Sequence, residues 1–274
     1  MALGRGGDRG LRRLIRAGHP SVRGLRRAHA EHRRTLEELL ALLRRFGFVS
    51  RLVYDFEGVR PRAFDVVVTV GGDGTVLFAS HHVDSVPLLG VNSSPSSSAG
   101  YLTSATRRNL KEILGLLAEG KIRRSTLQRL AVRVDGVLAD DRVLNDVLFT
   151  SCCPAVTARY FLRVGGVEEE QMSSGIWIGP AAGSTAALRS AGGRVLPPAS
   201  RKIQFVVREP VERRGRTCRL RKGIVGPEAG IVIMNRWQES EIYIDGPHRR
   251  LAVHPGSTIA IGPSRSPLVL LGWR

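Results

Sequence analysis

The sequence predicts an α/β domain over residues 1–120, then an all-β domain over residues 121–250. A C-terminal segment, 251–274, is expected to pack back on the first domain. Three observations carry this reading. A β-branched run at 64–70 stops at Gly71-Gly72-Asp73-Gly74-Thr75, as a strand buried on both faces does on leaving a parallel sheet. Leu36, Leu39, Leu40 and Leu43 recur at i, i+3, i+4 and i+7, the stripe of an amphipathic helix. Past Gly120 the chain turns to short apolar runs punctuated by Gly136, Gly165-Gly166, Gly246-Pro247 and Pro255-Gly256.

Taken in order, residues 1–20 are rich in Gly and Arg and read as frayed or loosely helical. A helix is expected from about residue 20 to 46, closed by Gly47. Strands follow at 49–54 and 64–70, a helix at 76–82 and a buried strand at 86–91. Residues 92–100 form a serine-rich loop, and 107–119 an amphipathic helix. The second half reads as strands at 127–134, 142–150, 158–164, 176–178, 203–207, 230–234, 241–244 and 258–261.

Composition narrows the function classes. The 274 residues are 42% hydrophobic, which supports a real core and excludes disorder of the whole. No apolar run is long enough to span a bilayer and no secretory signal is visible, so a cytoplasmic protein without a membrane partner is expected. The net charge of +18 is carried almost entirely by arginine spread along the chain. Nucleic acid is not expected as a partner, because the aromatic interleaving of a base-stacking surface is missing. Cys152, Cys153 and Cys218 form no CxxC pair and read as buried free thiols in a reducing, cytosolic compartment. His29 and His32 have helical i, i+3 spacing but no thiol or carboxylate partner nearby, so no metal site is assigned to them.

Chemistry concentrates in four segments. In the first, the glycines of Gly71-Gly72-Asp73-Gly74-Thr75 are expected to take positive φ, admit a ligand to the backbone and offer N–H groups to phosphate. A carboxylate in a phosphate loop makes sense if Asp73 orients a hydroxyl or accepts its proton. The second segment is Gly90-Val91-Asn92 with Ala99-Gly100-Tyr101-Leu102 after the serine loop. The third, Asn145-Asp146, offers an amide and a carboxylate suited to a ribose diol, or simply forms a turn. The fourth spans 173–193. Its Gly183-Ser184-Thr185 reads as a small-residue loop opening a helix, holding phosphate or merely capping.

Together these segments resemble the NAD kinase family over residues 64–193, closest to the branch that includes the mitochondrial type. The resemblance implies a Rossmann-like α/β domain followed by a β-sandwich. It also implies transfer of the ATP γ-phosphate to the adenosine-ribose 2′-hydroxyl of NAD. Asp73 would contact that hydroxyl, and Gly72, Gly74 and Thr75 would line the phosphates. Asn145 and Asp146 would bind the NAD ribose, and Thr185, Ala186 and Ser190 would wrap the nucleotide. Gly71, Asn92, Ser174, Gly183 and Ser184 complete the implied substrate-binding set. Mg2+ would accompany ATP, and a homodimer or homotetramer is implied. Departures from the family pattern are Asp146 for the usual Glu, Ser174 for a frequent Asp, Gly179-Pro180-Ala181-Ala182 for a hydroxyl-rich run and Ala187 for Tyr. Residues 1–20 also lack the buried strand with which the family usually opens. These departures motivate one alternative, a catalytically impaired NAD(P)-binding relative. A lipid kinase of the diacylglycerol or sphingosine type shares the first loop but not the later segments.

Overall fold

The computed structural model describes residues 9–211 and 218–273. It divides into two compact units, Met1–Ser125 with Leu270–Arg274, and Thr126–Val269. Of the start expected to be frayed, residues 1–8 lie outside the described residues. From Arg9 the chain is helical, α1 (Arg9–Arg16).

In the first unit, α2 (Arg23–Arg45) buries Thr35, Leu39, Leu42 and Leu43, one stripe at helical spacing. Gly47, at φ +77°, ends it, and the Phe48 N–H returns to the Leu43 carbonyl. The following elements are β1 (Val67–Gly71), α3 (Asp73–Ser80), β2 (Leu88–Asn92), β3 (Ala105–Thr106), α4 (Leu110–Ala118) and β4 (Arg124–Leu127). β1 and β2 run parallel, with Val67 opposite Leu88 and Gly71 opposite Asn92. β2 is buried at every position, which explains its unbroken apolar sequence.

The strand expected at 49–54 does not form. Val49, Leu52 and Tyr54 lie in irregular chain and stay exposed, Val49 fully so. A strand needs a neighbour for its N–H and C=O groups, and among the described residues none lies beyond β1, which ends its sheet.

The second unit is built from β5 (Leu130–Val134), β6 (Val137–Val143), β7 (Val147–Ser151), β8 (Ala158–Val164), β9 (Val167–Ser173) and β10 (Ile176–Gly179). It continues, after the short α5 (Ala187–Ser190), with β11 (Ile203–Val207), β12 (Lys222–Val225), β13 (Ile231–Asn235), β14 (Ser240–Ile244), β15 (Arg249–Val253) and β16 (Thr258–Pro263). Two six-stranded sheets result, ordered β12-β11-β10-β7-β14-β15 and β6-β5-β16-β13-β8-β9. Alternate residues of both sheets, among them Phe149, Ile178, Phe205, Ile242, Tyr160, Ile233 and Ile261, form one buried cluster. The expected run at 142–150 is interrupted at 144–146, between β6 and β7.

The chain then enters β17 (Leu268–Leu271), whose Leu270 pairs parallel with Leu88. The first unit's sheet reads β1-β2-β17-β4, with β3 also on β2. Of the segment 251–274 expected to pack on the first domain, only Leu270–Arg274 joins that unit. The rest belongs to the second unit, because β15 and β16 put alternate apolar residues such as Val253, Ile259 and Ile261 into its core. No helix among the described residues is long and apolar enough to cross a membrane.

Candidate functional site

The turn after β1 opens directly into α3, with Asp73 in its first turn and Gly72 as the capping residue. None of Gly71, Gly72 and Gly74 takes a positive φ, contrary to the sequence expectation. Two of these glycines are required by close approach instead. A Cβ on Gly71 would stand 2.0 Å from the Thr75 hydroxyl, and one on Gly72 2.4 Å from that of Ser98. Gly74 has nothing within 4 Å of that position, so its backbone is open to a ligand. Within the first turn the Thr75 N–H bonds back to the Gly72 carbonyl at 2.9 Å, and α3 aims its positive end at this turn.

The Asp73 carboxylate is half-buried and fixed. One oxygen accepts the Leu102 N–H at 2.7 Å and the other the Tyr101 N–H at 3.0 Å. Each oxygen keeps lone-pair capacity for a further donor. Tyr101 is held in turn, since its carbonyl accepts the Trp273 indole N–H at 2.7 Å. The Ser104 hydroxyl donates to the Leu271 carbonyl. The C-terminal residues therefore brace the backbone that grips Asp73.

The serine loop connects Asn92 to Gly100. Asn92 is 4% exposed. Its amide donates to the Ser98 carbonyl and accepts the Ser94 N–H, both at 3.2 Å. Asn92 thus shapes the loop from within. α2 grips the same loop from outside, where Glu31 accepts the hydroxyls of Ser94 and Ser96.

In the second unit the Asn145-Asp146 turn hangs on Asp245. That carboxylate accepts the N–H groups of Leu144, Asn145 and Asp146 at 2.9, 2.7 and 3.0 Å. Asp245 itself sits at φ +51° in the turn joining β14 and β15. The Asn145 amide donates to Asp146 at 2.9 Å. Asp146 is 4% exposed. Its burial, and then the negative charge of Asp245, push its carboxyl up to about 7. Near neutral pH the group therefore exists in both protonation states.

The 179–187 loop packs on this turn. Cβ atoms on Gly179 and Gly183 would stand 2.6 and 1.6 Å from the Asn145 carbonyl oxygen. Those glycines let two backbones meet. The loop forms a one-turn 3₁₀ segment, Ala182–Thr185, and then α5, which is only four residues long. No substantial helix opens at Gly183-Ser184-Thr185, so the phosphate-holding helix N-terminus is not formed. Ser184 is fully buried. Its hydroxyl donates to the Ala181 carbonyl at 2.7 Å and accepts the Leu196 N–H at 2.9 Å, so Ser184 also shapes its loop. Thr185 and Ala186 are half-buried and Ser190 is exposed, open to a ligand. Ser174 is half-buried, with its backbone bonded to Arg208 and Thr150.

Sequence reasoning missed Asp245, Glu31 and Trp273. An Asp-Gly pair in a hairpin turn was the available signal for Asp245, through its tolerance of positive φ. Nothing local marks Glu31 or Trp273, whose partners are distant in sequence. Among the described residues no three His, Cys, Asp or Glu side chains gather to hold a metal ion.

Comparison with known proteins bears on this arrangement. Residues 23–122 match the family described as the ATP-NAD kinase N-terminal domain. A probable NADH kinase of Oryza sativa subsp. japonica is 35% identical over 219 residues, spanning 72% of this chain and 67% of the relative. An NADH kinase of Arabidopsis thaliana is 36% identical over 227 residues, spanning 73% and 70%. Among solved structures, an NAD kinase from Archaeoglobus fulgidus in complex with ATP superposes with a TM-score of 0.71. It has 25% identity and covers 87% of this chain and 89% of its own.

Proposed function

The chain belongs to the NAD kinase family, and we propose that it transfers the γ-phosphate of ATP to the adenosine-ribose 2′-hydroxyl of NAD, giving NADP. One observation carries the mechanism. Asp73 is a carboxylate clamped by two successive backbone N–H groups, beside an open glycine backbone at a helix start. Clamped this way, Asp73 points a remaining lone pair at the hydroxyl, orients it and takes up its proton as the phosphoryl group arrives. The backbone of Gly72 and Gly74 and the Thr75 hydroxyl line the phosphates. Gly71 leaves room for Thr75 to fold back toward the strand end.

The second unit contributes the ribose-binding pair. Asp146 accepts the diol when ionised, and the Asn145 amide fixes its orientation. Thr185, Ala186 and Ser190 wrap the nucleotide, and Ser174, in the turn between β9 and β10, completes the set. Mg2+ would accompany ATP, taking most of its ligands from phosphate and water. When bound, it neutralises charge on the transferring phosphoryl group.

The parallel sheet of the first unit supports a Rossmann-like reading, and the core shared by two sheets supports a β-sandwich. Cys152 and Cys153 are exposed rather than buried as expected; a reducing, cytoplasmic location is part of the proposal.

The test is phosphorylated dinucleotide formed by purified protein with ATP and Mg2+, using NAD and NADH in parallel, beside Asp73→Asn. Turnover should fall by about 10²–10⁴-fold in the variant while NAD affinity stays within a few-fold. A folded wild-type protein that phosphorylates neither dinucleotide would overturn the proposal.

A further inference from the structure

We propose that Glu31 of α2 is a positioning residue for Asp73, acting through the serine loop. The proposal rests on the kinase reading above and extends it to a helix that bears none of the assigned site residues.

The chain of contacts is continuous and lies within one unit. One Glu31 carboxylate oxygen accepts the Ser94 hydroxyl at 2.6 Å and the Ser96 hydroxyl at 2.8 Å. The other accepts Arg27 Nε at 3.1 Å, one helical turn away. These donors, Ser94 foremost, hold the Glu31 carboxyl below its usual range, so it is ionised and at its strongest as an acceptor near neutral pH. One turn further along, Thr35 is 2% exposed. Its hydroxyl lies 2.9 Å from the Glu31 carbonyl and 3.1 Å from the Ser93 carbonyl. His32 Nδ1 lies 3.0 Å from the Ser93 hydroxyl. α2 therefore grips three residues of the loop: Ser93, Ser94 and Ser96.

What the loop does next connects this grip to chemistry. The Ser93 N–H bonds to the Gly71 carbonyl, and the Ser97 and Ser98 N–H groups close a turn on the Ser94 carbonyl. That turn brings Ser98 over Gly72, where even a methyl group would not fit. The loop ends at Gly100, φ +70°, packed so tightly on the Asn92 amide that a Cβ would stand 2.5 Å away. The next two N–H groups are those that clamp Asp73. Serine and glycine have little intrinsic preference for one loop conformation, so a loop of this composition takes its shape from its anchors. Glu31 is the carboxylate among the α2 side chains that anchor this loop, beside His32 and Thr35.

Amide hydrogen exchange and steady-state kinetics on the full chain test the proposal, with Glu31→Ala, Glu31→Gln and the control Glu37→Ala. Glu37 sits on the exposed side of α2, paired with Arg33. In Glu31→Ala the amides of residues 93–102 should exchange at least tenfold faster, while those of 36–45 keep their wild-type rates. kcat should fall about 10–100-fold, the scale expected when a reacting group is misplaced by about 1 Å. KM for ATP should stay within threefold. Glu31→Gln keeps an acceptor oxygen and should restore most of kcat, and Glu37→Ala should match wild type in both assays. Unchanged exchange in Glu31→Ala would refute the latch. Faster exchange with unchanged kcat would refute its link to Asp73. An inactive wild-type protein would instead refute the kinase reading, and the exchange arm would still decide whether Glu31 orders the loop.

Discussion

Gly183→Ala separates a glycine needed for packing from one needed for phosphate. The added Cβ would stand 1.6 Å from the Asn145 carbonyl oxygen, 2.4 Å from its carbon and 2.8 Å from its Cα. Ordinary C···O contacts lie near 3.3–3.6 Å, so the two backbones must part by about 2 Å. Every atom met is backbone, and no flexible side chain can swing aside. Gly183 does not have a positive φ, so the alanine backbone conformation itself carries no left-handed strain. The displacement falls on the turn that Asp245 holds through three N–H bonds. Overpacking costs about 1–3 kcal/mol, and loosening one hydrogen bond to a charged acceptor adds about 1.5–3 kcal/mol. The expected loss is about 2.5–6 kcal/mol, a fall in melting temperature on the order of 10 °C. Scanning calorimetry measures the fall, and titration calorimetry with NAD reports the displaced Asp146 as at least a tenfold weaker Kd. Gly74→Ala is the stability control, because nothing lies within 4 Å of its Cβ position. A Gly183→Ala protein melting with wild type would refute the packing argument. Normal melting with lost NAD binding would return Gly183 to a direct ligand role.

Three further predictions follow from the same geometry. With its carboxyl raised to about 7, Asp146 loses its acceptor character as pH falls through neutrality, so KM for NAD should rise below about pH 7. Asp146→Asn should flatten that dependence, and an equally steep profile in the variant would exclude Asp146 as its source. The stability sign is opposite to that of a salt-bridged carboxylate. A folded value above the unfolded 3.8 favours the native state at low pH, and that contribution is lost between about pH 4 and 7. Ser184→Ala should destabilise by about 1–3 kcal/mol through the unsatisfied Leu196 N–H, with KM for ATP unchanged in denaturant-free assays. A stable variant with raised KM would make Ser184 a ligand residue. Val67→Pro removes the bond to the Pro87 carbonyl, whereas Val68 points its N–H away from β2, so urea unfolding should find Val67→Pro about 1–3 kcal/mol the less stable of the two. Equal midpoints would mean that β1 is paired on its other edge.

Legibility in the sequence followed the range of the interactions. β1 and the later turns of α3 were readable because a β-branched run and a glycine cluster act within a few residues, though the helix begins at Asp73 and not at Val76. Many of the second unit's strands were readable one by one through alternation, but β12, β15, most of β6 and, most plainly, β9 were missed. Its Val167-Glu168-Glu169-Glu170-Gln171 sequence has no strand composition, and pairing with β8 dictates it. At the site, the residue types were readable and several of their roles were not. Asn92 and Ser184 have the chemistry of ligand contacts, yet their polar groups close onto Ser98, Ser94, Ala181 and Leu196. A buried polar group must find a partner, and a short polar side chain in a tight loop finds backbone first. Glu31 and Asp245 were invisible for the complementary reason. Their partners lie 63 and about 100 residues away, beyond any local pattern.

The edge of the first sheet shows the same principle acting on secondary structure itself. Val66, Val67, Val68 and Val70 form a run suited to a strand with neighbours on both sides, and the sequence gives residues 49–54 enough apolar β-formers for a strand. Only the first run became one. β1 has β2 beside it, and ladder bonds such as Val67 N–H to Pro87 O offset the entropy of ordering it. In a parallel pair these bonds use alternate residues, so Val67, Thr69 and Gly71 turn toward β2 while Val66, Val68 and Val70 turn outward. Residues 49–54 meet no such edge among the described residues, and Val49 and Tyr54 face solvent. Propensity alone did not decide between the two runs. A strand is a property of a pair, and the loop that clamps Asp73 stays in place because its own pairing, to α2 and to the C-terminal residues, is complete.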